Sequence, residues 1–284
     1  MKPTIEKRED GLRWIVVKSG WSREIASLLN SGRADGLELN SSKGSWEDGM
    51  PFLREVPGLK HLILIDLQEQ DVQAIEELTG LVSLTLSAYA TSPLDFGRLA
   101  ALRKAFIEWR RQYRNISACT NLEELYLNRY WGKDFAALRP LQKLRKLTVG
   151  DTSALAALDG IEEMRQLRSL GLRGLPKLRD LSPIESVAAT LEELNVKQAR
   201  YLRTLEPLSR LSKLRRLMLV DCGKVPSLRP ISGLPNLRLL YFYGDTNVLD
   251  GELDYLRALP LEDVAFKNRR HYSLRREELA SWHP

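Results

Sequence analysis

The sequence predicts an α/β solenoid, a fold in which short repeats stack and each repeat adds one strand to a parallel sheet. The main observation is a motif, leucine-x-x-leucine-x-leucine, that recurs along the chain at intervals of about 20 to 25 residues. The second observation is the composition of the 284 residues, 43% hydrophobic and 28% charged, which excludes a disordered or fibrous chain. The repetition favours one solenoid over the two domains that this length would otherwise suggest.

Each repeat begins at a regularly placed apolar residue, and the series gives about 11 to 12 repeats. The repeat starts are Leu12, Ala34, Leu59, Leu81, Leu102, Leu122, Leu144, Leu167, Leu191, Leu214, Leu237 and Leu261. The fourth and sixth positions of each repeat are apolar, as in Leu147 and Val149. Because strand side chains alternate between two faces, these positions predict the buried face and the fifth and seventh positions point the other way.

The segments between the strands carry two further apolar columns. They lie three and six residues before each repeat start, as Leu141 and Leu138 lie before Leu144. A spacing of three is typical of a short 3-10 or α-helical turn. We therefore expect such turns on the convex side of the solenoid, opposite the sheet.

The two ends of a repeat array must be capped, because a terminal repeat lacks one neighbour. We assign residues 1–33 to an N-terminal cap and first irregular repeat, 34–268 to the repeats, and 269–284 to a C-terminal cap. A helical stripe ended by Gly32 lies in the first segment and comprises Trp21, Ile25, Leu28 and Leu29. In the last segment, Ser273 is the predicted N-cap of a helix, LRREELASW.

With repeats such as LEELYL, LRKLTV and LRRLML, the chain resembles leucine-rich repeat proteins of the bacterial, internalin-like short-repeat type. The resemblance covers about residues 34–268. It implies a horseshoe-shaped solenoid with a concave parallel sheet, and recognition of another macromolecule, usually a protein, across that sheet. The asparagine that the family places after the strand is mostly missing here, so we expect no continuous asparagine ladder.

The outward strand positions supply the candidate binding surface. Two aromatic clusters lie on or just after these strands, and exposed aromatic side chains beside arginine are typical of interaction hot spots. The candidate partner-binding residues are Phe106, Trp109, Tyr126, Arg129, Trp131, Arg173, Tyr241 and Tyr243. Strand alternation predicts exposure for Phe106 and Tyr126. Tyr130 and Trp131 either extend the surface or fold inward as loop packing.

Charge helps to decide between classes of partner. The net charge of +6 permits an acidic partner without requiring one. Basic and acidic residues balance on the predicted concave face, which disfavours a nucleic-acid groove there. The basic excess lies at the second repeat position, in a rim stripe of Arg13, Lys60, Arg103, Arg145, Arg168, Arg215 and Arg238. A solvated rim is the favoured interpretation of this stripe, and nucleic-acid binding is the alternative.

The motifs of catalysis and cofactor binding do not appear in the sequence. Gly171 and Gly174 lack the lysine that follows in a phosphate-binding loop, and the histidines lack partners at metal-ligand spacing. Cys119 and Cys222 fall in repeat columns and are interpreted as structural thiols. We therefore expect neither an enzyme, nor a cofactor, nor a metal site.

The hypothesis that follows is a non-enzymatic module that binds a protein partner on its concave face. A bacterial immunity or antitoxin-like protein that neutralises a toxin is its sharper form. The alternatives are an effector that acts on a host protein and, less favoured, a nucleic-acid binder that uses the basic rim. The sequence shows no secretory signal and no apolar run of membrane-spanning length, so we expect a cytoplasmic monomer.

Overall fold

The structure is a computed structural model that describes residues 3–152 and 154–279. It divides into two compact units, Met1–Leu127 and Asn128–Pro284. Each unit is built around its own part of the predicted strand series.

The sheet of the first unit begins with an antiparallel hairpin and continues in parallel. Its strands are β1 (Ile5–Lys7), β2 (Arg13–Val16), β3 (Gly36–Asn40), β4 (His61–Gln70), β5 (Ser83–Ala90), β6 (Leu94–Asp95), β7 (Lys104–Glu108), β8 (Tyr113–Arg114) and β9 (Glu124–Asn128). The order in the sheet is β1-β2-β3-β4-β5-β7-β9, and β6 pairs separately with β8. The β1 strand pairs antiparallel with β2, while the pairs from β2 to β7 are parallel. The hairpin therefore protects the edge that the first repeat would otherwise leave open.

The second unit repeats one parallel strand per repeat. Its strands are β10 (Lys146–Gly150), β11 (Ser169–Arg173), β12 (Glu193–Lys197), β13 (Arg216–Val220), β14 (Lys224–Val225), β15 (Leu239–Tyr243), β16 (Asn247–Val248) and β17 (Asp263–Phe266). The sheet order is β10-β11-β12-β13-β15-β17, and β14 pairs with β16. All six of these strand pairs are parallel.

The return segments are short 3-10 helices, as the three-residue spacing predicts. They span Pro51–Glu55, Gln73–Glu77, Phe96–Arg98, Ile116–Ala118, Ala136–Leu138, Ile161–Glu163, Ser182–Val187, Glu206–Arg210, Arg229–Ile231, Asp254–Ala258 and Arg276–Glu278. The stripe near the N-terminus forms an α-helix, α1 (Arg23–Asn30). The hydroxyl of Ser22 caps α1 by accepting from the Ile25 amide, and Gly32 ends the turn with φ of 67°.

The fourth and sixth repeat positions form the core in both units. In the second unit, Leu147 pairs in register with Leu170, Leu170 with Leu194, and Leu194 with Leu217. These side chains are buried, with no more than 1% of their surface exposed. Because one repeat buries too little apolar area to offset its ordering entropy, this continuous leucine column is what stabilises the stack.

The column that follows each strand is filled without asparagine. In the second unit the residues of this column are buried, and the hydroxyls of Thr152 and Thr246 donate to backbone carbonyls of the preceding repeat. Thr246 donates to the carbonyl of Leu219 at 2.9 Å and accepts from the Cys222 amide at 3.0 Å. In the first unit, β4 and β5 run longer and shift register between Asp66 and Glu69, which leaves Leu67 75% exposed.

The C-terminal segment corrects one expectation. The Ser273 hydroxyl does not cap a following helix, because it accepts from the Leu253 amide at 2.9 Å. Arg275 occupies the N-cap position of the short 3-10 helix Arg276–Glu278, and its amide donates to the Glu278 carboxylate at 2.8 Å. Residues 280–284, the end of the predicted helix, lie outside the described residues.

Candidate protein-interaction surface

We call the sheet face opposite the leucine core the open face, formed by the third, fifth and seventh repeat positions. In the first unit, strand register places Ile63 beside Thr85, and Thr85 beside Phe106. The ring of Phe106 stacks on Tyr126 with centroids 6.0 Å apart and planes 20° apart. Phe106 is 45% exposed, and the other three residues are half-buried. The predicted exposure of Phe106 is confirmed, whereas Tyr126, for which strand alternation also predicts exposure, is half-buried beside it.

At the N-terminal end of this row, the Glu38 side chain is occupied by ion pairs within the protein. Glu38 is buried, and its carboxylate accepts from Arg8 of the cap, from Lys43 at 2.8 Å and from Asn40 at 3.1 Å. Burial opposes ionisation of Glu38, but the three hydrogen bonds outweigh it and lower the pKa of the carboxyl. The open part of the row therefore begins at Ile63.

Trp109 does not belong to the open face, and its predicted exposure is wrong. The indole is only 7% exposed. It stacks on Phe96 at 5.9 Å and meets Tyr113 edge-on at 5.8 Å. The β7 strand ends at Glu108, so strand alternation no longer decides where the next side chain points.

The turn after β9, in the second unit, settles the two alternatives for its aromatic pair. Tyr130 is buried and donates its hydroxyl hydrogen to the Asp134 carbonyl at 2.7 Å. Trp131 packs against the Tyr130 ring at 4.8 Å, yet it remains 43% exposed. Arg129 is exposed in a left-handed backbone conformation, with φ of 59°. This turn thus presents an arginine and a tryptophan beside a buried tyrosine.

The second aromatic cluster lies on β15. Tyr241 is half-buried and donates to Asp263 at 2.7 Å, which raises the pKa of the phenol. Tyr243 is 40% exposed, and strand register places Met218 beside Tyr241. The predicted tyrosine pair therefore stands on the open face, with one hydroxyl already hydrogen-bonded.

Cations accumulate on the same open face of the second unit. Strand register puts Arg173 beside Lys197; Arg173 is exposed and Lys197 is half-buried. Lys146 and Arg216 are the first residues of β10 and β13 and occupy the third position of their repeats. Among the described residues, none of these four cations forms an ion pair.

The rim stripe behaves differently, because most of its arginines are paired with the next repeat. Arg13 binds Asp35 at 2.8 Å, and Arg168 binds Glu192 at 2.9 Å. The same pairing joins Arg103 to Glu123 and Arg238 to Glu262. A cation that is already neutralised contributes little to phosphate binding, so these pairs argue against the nucleic-acid alternative.

No protein-family model matches this sequence, and no curated protein matches it. Solved structures do match it. The chain has a leucine-rich repeat fold. An internalin (inlF) of Listeria monocytogenes aligns with 87% of this chain and 73% of its own at 17% identity, with a TM-score of 0.59. Internalin C2 (inlC2) of the same species aligns with 68% of this chain and 83% of its own at 23% identity and a TM-score of 0.51. A leucine-rich repeat protein of Leptospira interrogans aligns with 88% of this chain and 65% of its own length, at 18% identity and a TM-score of 0.50.

The leucine-rich repeats bury both cysteines. Burial raises the pKa of the Cys119 thiol to about 12 and the pKa of the Cys222 thiol to about 11. Within residues 3–152 and 154–279, no cluster of three or more histidine, cysteine or acidic side chains has the arrangement of a metal site. In the same part of the chain, no helix has the length and apolar character that crossing a membrane requires.

The structure also exposes side chains that the strand pattern did not single out. Leu67 and Tyr89 lie in the C-terminal halves of the long strands β4 and β5, and the Arg110 guanidinium lies 4.5 Å from the centre of the Tyr89 ring. Tyr201 is exposed after β12, with Arg179 at 5.3 Å. Leu67 lies at the register shift of β4, Tyr89 lies near the end of β5 and Tyr201 lies in a loop, and the two-residue alternation gives no signal at any of these places.

Proposed function

We propose that the chain is a protein-interaction module whose first unit binds a partner through its open face. The observation that carries the proposal is the exposed ring of Phe106 stacked on the half-buried ring of Tyr126, continued by Thr85 and Ile63 along one row. Large rigid rings contribute contact area at low entropic cost, which is why aromatic side chains dominate interaction hot spots. Ile63 and Thr85, which continue the same row, add half-buried contact area beside the rings.

We propose further that the partner is a bacterial toxin, which this chain neutralises as a cytoplasmic, monomeric immunity protein. What supports this proposal is a surface with an exposed aromatic ring, together with cysteine thiols whose pKa burial raises, which favours binding over catalysis. An effector that binds a host protein uses the same kind of surface and is the alternative. In both the immunity role and the effector role, the open face binds a protein and carries out no catalysis.

The first experiment is an affinity capture from lysate of the producing cell with a Phe106→Ala/Tyr126→Ala variant beside the wild type. Tyr201→Ala is the matched control, because Tyr201 is exposed but lies off the open face. We expect one protein to be retained by the wild type and by the control, and lost with the double variant. Retention by all three chains contradicts the assigned surface.

The identity of the captured protein then tests the more specific proposal, the immunity role. If it arrests growth when expressed alone, and co-expression of the wild-type chain but not of the double variant restores growth, the immunity role is supported. Capture of proteins only from a host lysate contradicts the immunity role and supports the effector alternative.

A further inference from the structure

We propose that the open face of the second unit binds an acidic segment of a protein partner, with Arg173 and Lys197 at its centre. The inference rests on the proposed function, because it names the chemistry of the partner that a protein-interaction module would hold. It concerns a different unit from the Phe106–Tyr126 pair and is tested separately.

The first step is the placement of the cations. Arg173 ends β11 and Lys197 ends β12, and the two residues are direct neighbours in the parallel register. Neighbouring strands lie about 4.8 Å apart, and like charges side by side on one face destabilise a sheet. Lys146 and Arg216 lie in the third-position row of the same face.

The second step is the contrast with the rim. Within the described residues, four of the six rim arginines meet a carboxylate of the adjacent repeat, as in Arg168–Glu192 and Arg238–Glu262. Within the described part of the second unit, Arg173 and Lys197 meet no carboxylate. A local arrangement that costs stability and has no structural partner marks a place where function decides the residue type.

The third step is that the nearby carboxylates have other partners. Glu193 accepts from the Ser169 hydroxyl at 3.0 Å, and Asp263 accepts from Tyr241 at 2.7 Å. Asp221, just past β13, accepts from the Asp245 amide at 3.1 Å. These neutral donors leave the carboxylates charged, so the balance of charge rests on numbers. The third, fifth and seventh positions within β10 to β13, β15 and β17 hold four cations, Lys146, Arg173, Lys197 and Arg216, and two carboxylates, Glu193 and Asp263.

The mixed chemistry of this face favours a protein over a nucleic acid. The third-position row contains charges of both signs, since Glu193 neighbours Arg216 and the row ends at Asp263. Apolar and aromatic side chains stand beside the cations, with Met218 half-buried and Tyr243 exposed. A phosphate backbone requires continuous neutralisation, which interspersed carboxylates oppose. An acidic peptide with apolar residues complements both features.

The test uses a fluorescent decapeptide of glutamate and a ten-nucleotide single-stranded DNA as probes, at low and high salt, with the full chain. The variant is Arg173→Glu/Lys197→Glu. The control is Arg210→Glu/Lys213→Glu, which makes the same change in net charge at exposed positions away from the sheet. We expect the peptide to bind the wild type and the control alike, and to bind the variant about tenfold more weakly.

Loss of folding is checked by thermal unfolding, and Arg173→Gln/Lys197→Gln replaces the reversal variant if that variant is unfolded. Absence of peptide binding to the wild type, or equal binding to variant and control, overturns the inference. Tighter binding of DNA than of peptide, lost in the variant, overturns the protein class in favour of nucleic acid. A captured partner that is lost with Phe106→Ala/Tyr126→Ala but kept with the charge-reversal variant overturns this inference alone and leaves the proposed function standing.

Discussion

At the scale of single residues, burial separates the aromatic side chains of the first unit into two groups. Phe106 and Tyr126 lie on the open face, whereas Trp109, Phe96 and Tyr113 pack together inside. Rings that are alike in sequence therefore serve different purposes, contact with a partner in one case and core packing in the other. Substitution by alanine distinguishes the two.

We expect Trp109→Ala to lower the free energy of unfolding by about 3–5 kcal/mol, because it removes a buried ring and leaves a cavity. Phe106→Ala should change it by less than about 1 kcal/mol, because the side chain is exposed. Urea unfolding followed by circular dichroism measures both. Equal destabilisation by the two substitutions would show that Phe106 is structural and would remove it from the proposed surface.

The two cysteines supply a second prediction at this scale. Burial raises the pKa of Cys119 to about 12 and of Cys222 to about 11, and the reactive form of a thiol is the thiolate. We expect negligible reaction with Ellman's reagent in the folded protein at neutral pH. In denaturant, both thiols should react. Rapid modification of either one in the native state would contradict the described burial.

At the scale of elements, neighbouring strands share space on the open face. Gly171 is the register neighbour of Thr148, and a Cβ at position 171 would lie 2.7 Å from the Thr148 hydroxyl and 2.9 Å from its methyl group. The glycine thus makes room for a β-branched side chain on the adjacent strand. The domain boundaries that we predict after residues 33 and 268 are not tested by these contacts and stay predictions.

We expect Gly171→Ala to destabilise the protein by about 1–3 kcal/mol, because the added methyl group overpacks the strand pair. The double variant Gly171→Ala/Thr148→Ala should recover most of that loss, since it removes the two closest contacts. Gly233→Ala is the control, because its Cβ would meet nothing within 4 Å. A double-mutant cycle in urea measures the coupling, and strict additivity would refute the shared space.

At the scale of the whole molecule, ion pairs between repeats link stability to pH. The hydrogen bonds from Arg13 lower the pKa of Asp35 to about 2, below the value of about 3.9 for an unfolded chain. Hydrogen bonds also lower the pKa of Glu38, against the effect of its burial. A carboxyl with a depressed folded pKa stabilises the fold above its unfolded pKa and loses that contribution as pH falls through the folded value.

We therefore expect the free energy of unfolding to fall as pH decreases from about 5 to about 2, in the window between these pKa values. Asp35→Asn should flatten part of this decrease. Glu185→Gln, at an exposed position with no ion pair within the described residues, should leave the decrease unchanged. Urea titrations across this pH range measure the slope. An identical slope in the wild type and Asp35→Asn would contradict the assigned pair.

The sequence by itself determined the repeat architecture, because strand alternation and the three-residue return spacing are local patterns. The buried leucine columns, the 3-10 segments, helix α1 and the exposure of Phe106 all follow from them. Only the tertiary structure decided where side chains point once a strand has ended. Trp109 turns inward, Tyr130 buries while Trp131 stays exposed, and Ser273 bonds to a neighbouring repeat.

Charge pairing was likewise beyond the sequence. The rim arginines and the open-face cations look alike as residue types, yet Arg168 meets Glu192 and Arg173 meets no carboxylate within the described residues. Which carboxylate a cation reaches depends on contacts between residues about 20 to 25 positions apart, and only the stacking of repeats brings them together. The leucine periodicity fixes the stack, and the stack decides which charges are neutralised and which remain for a partner.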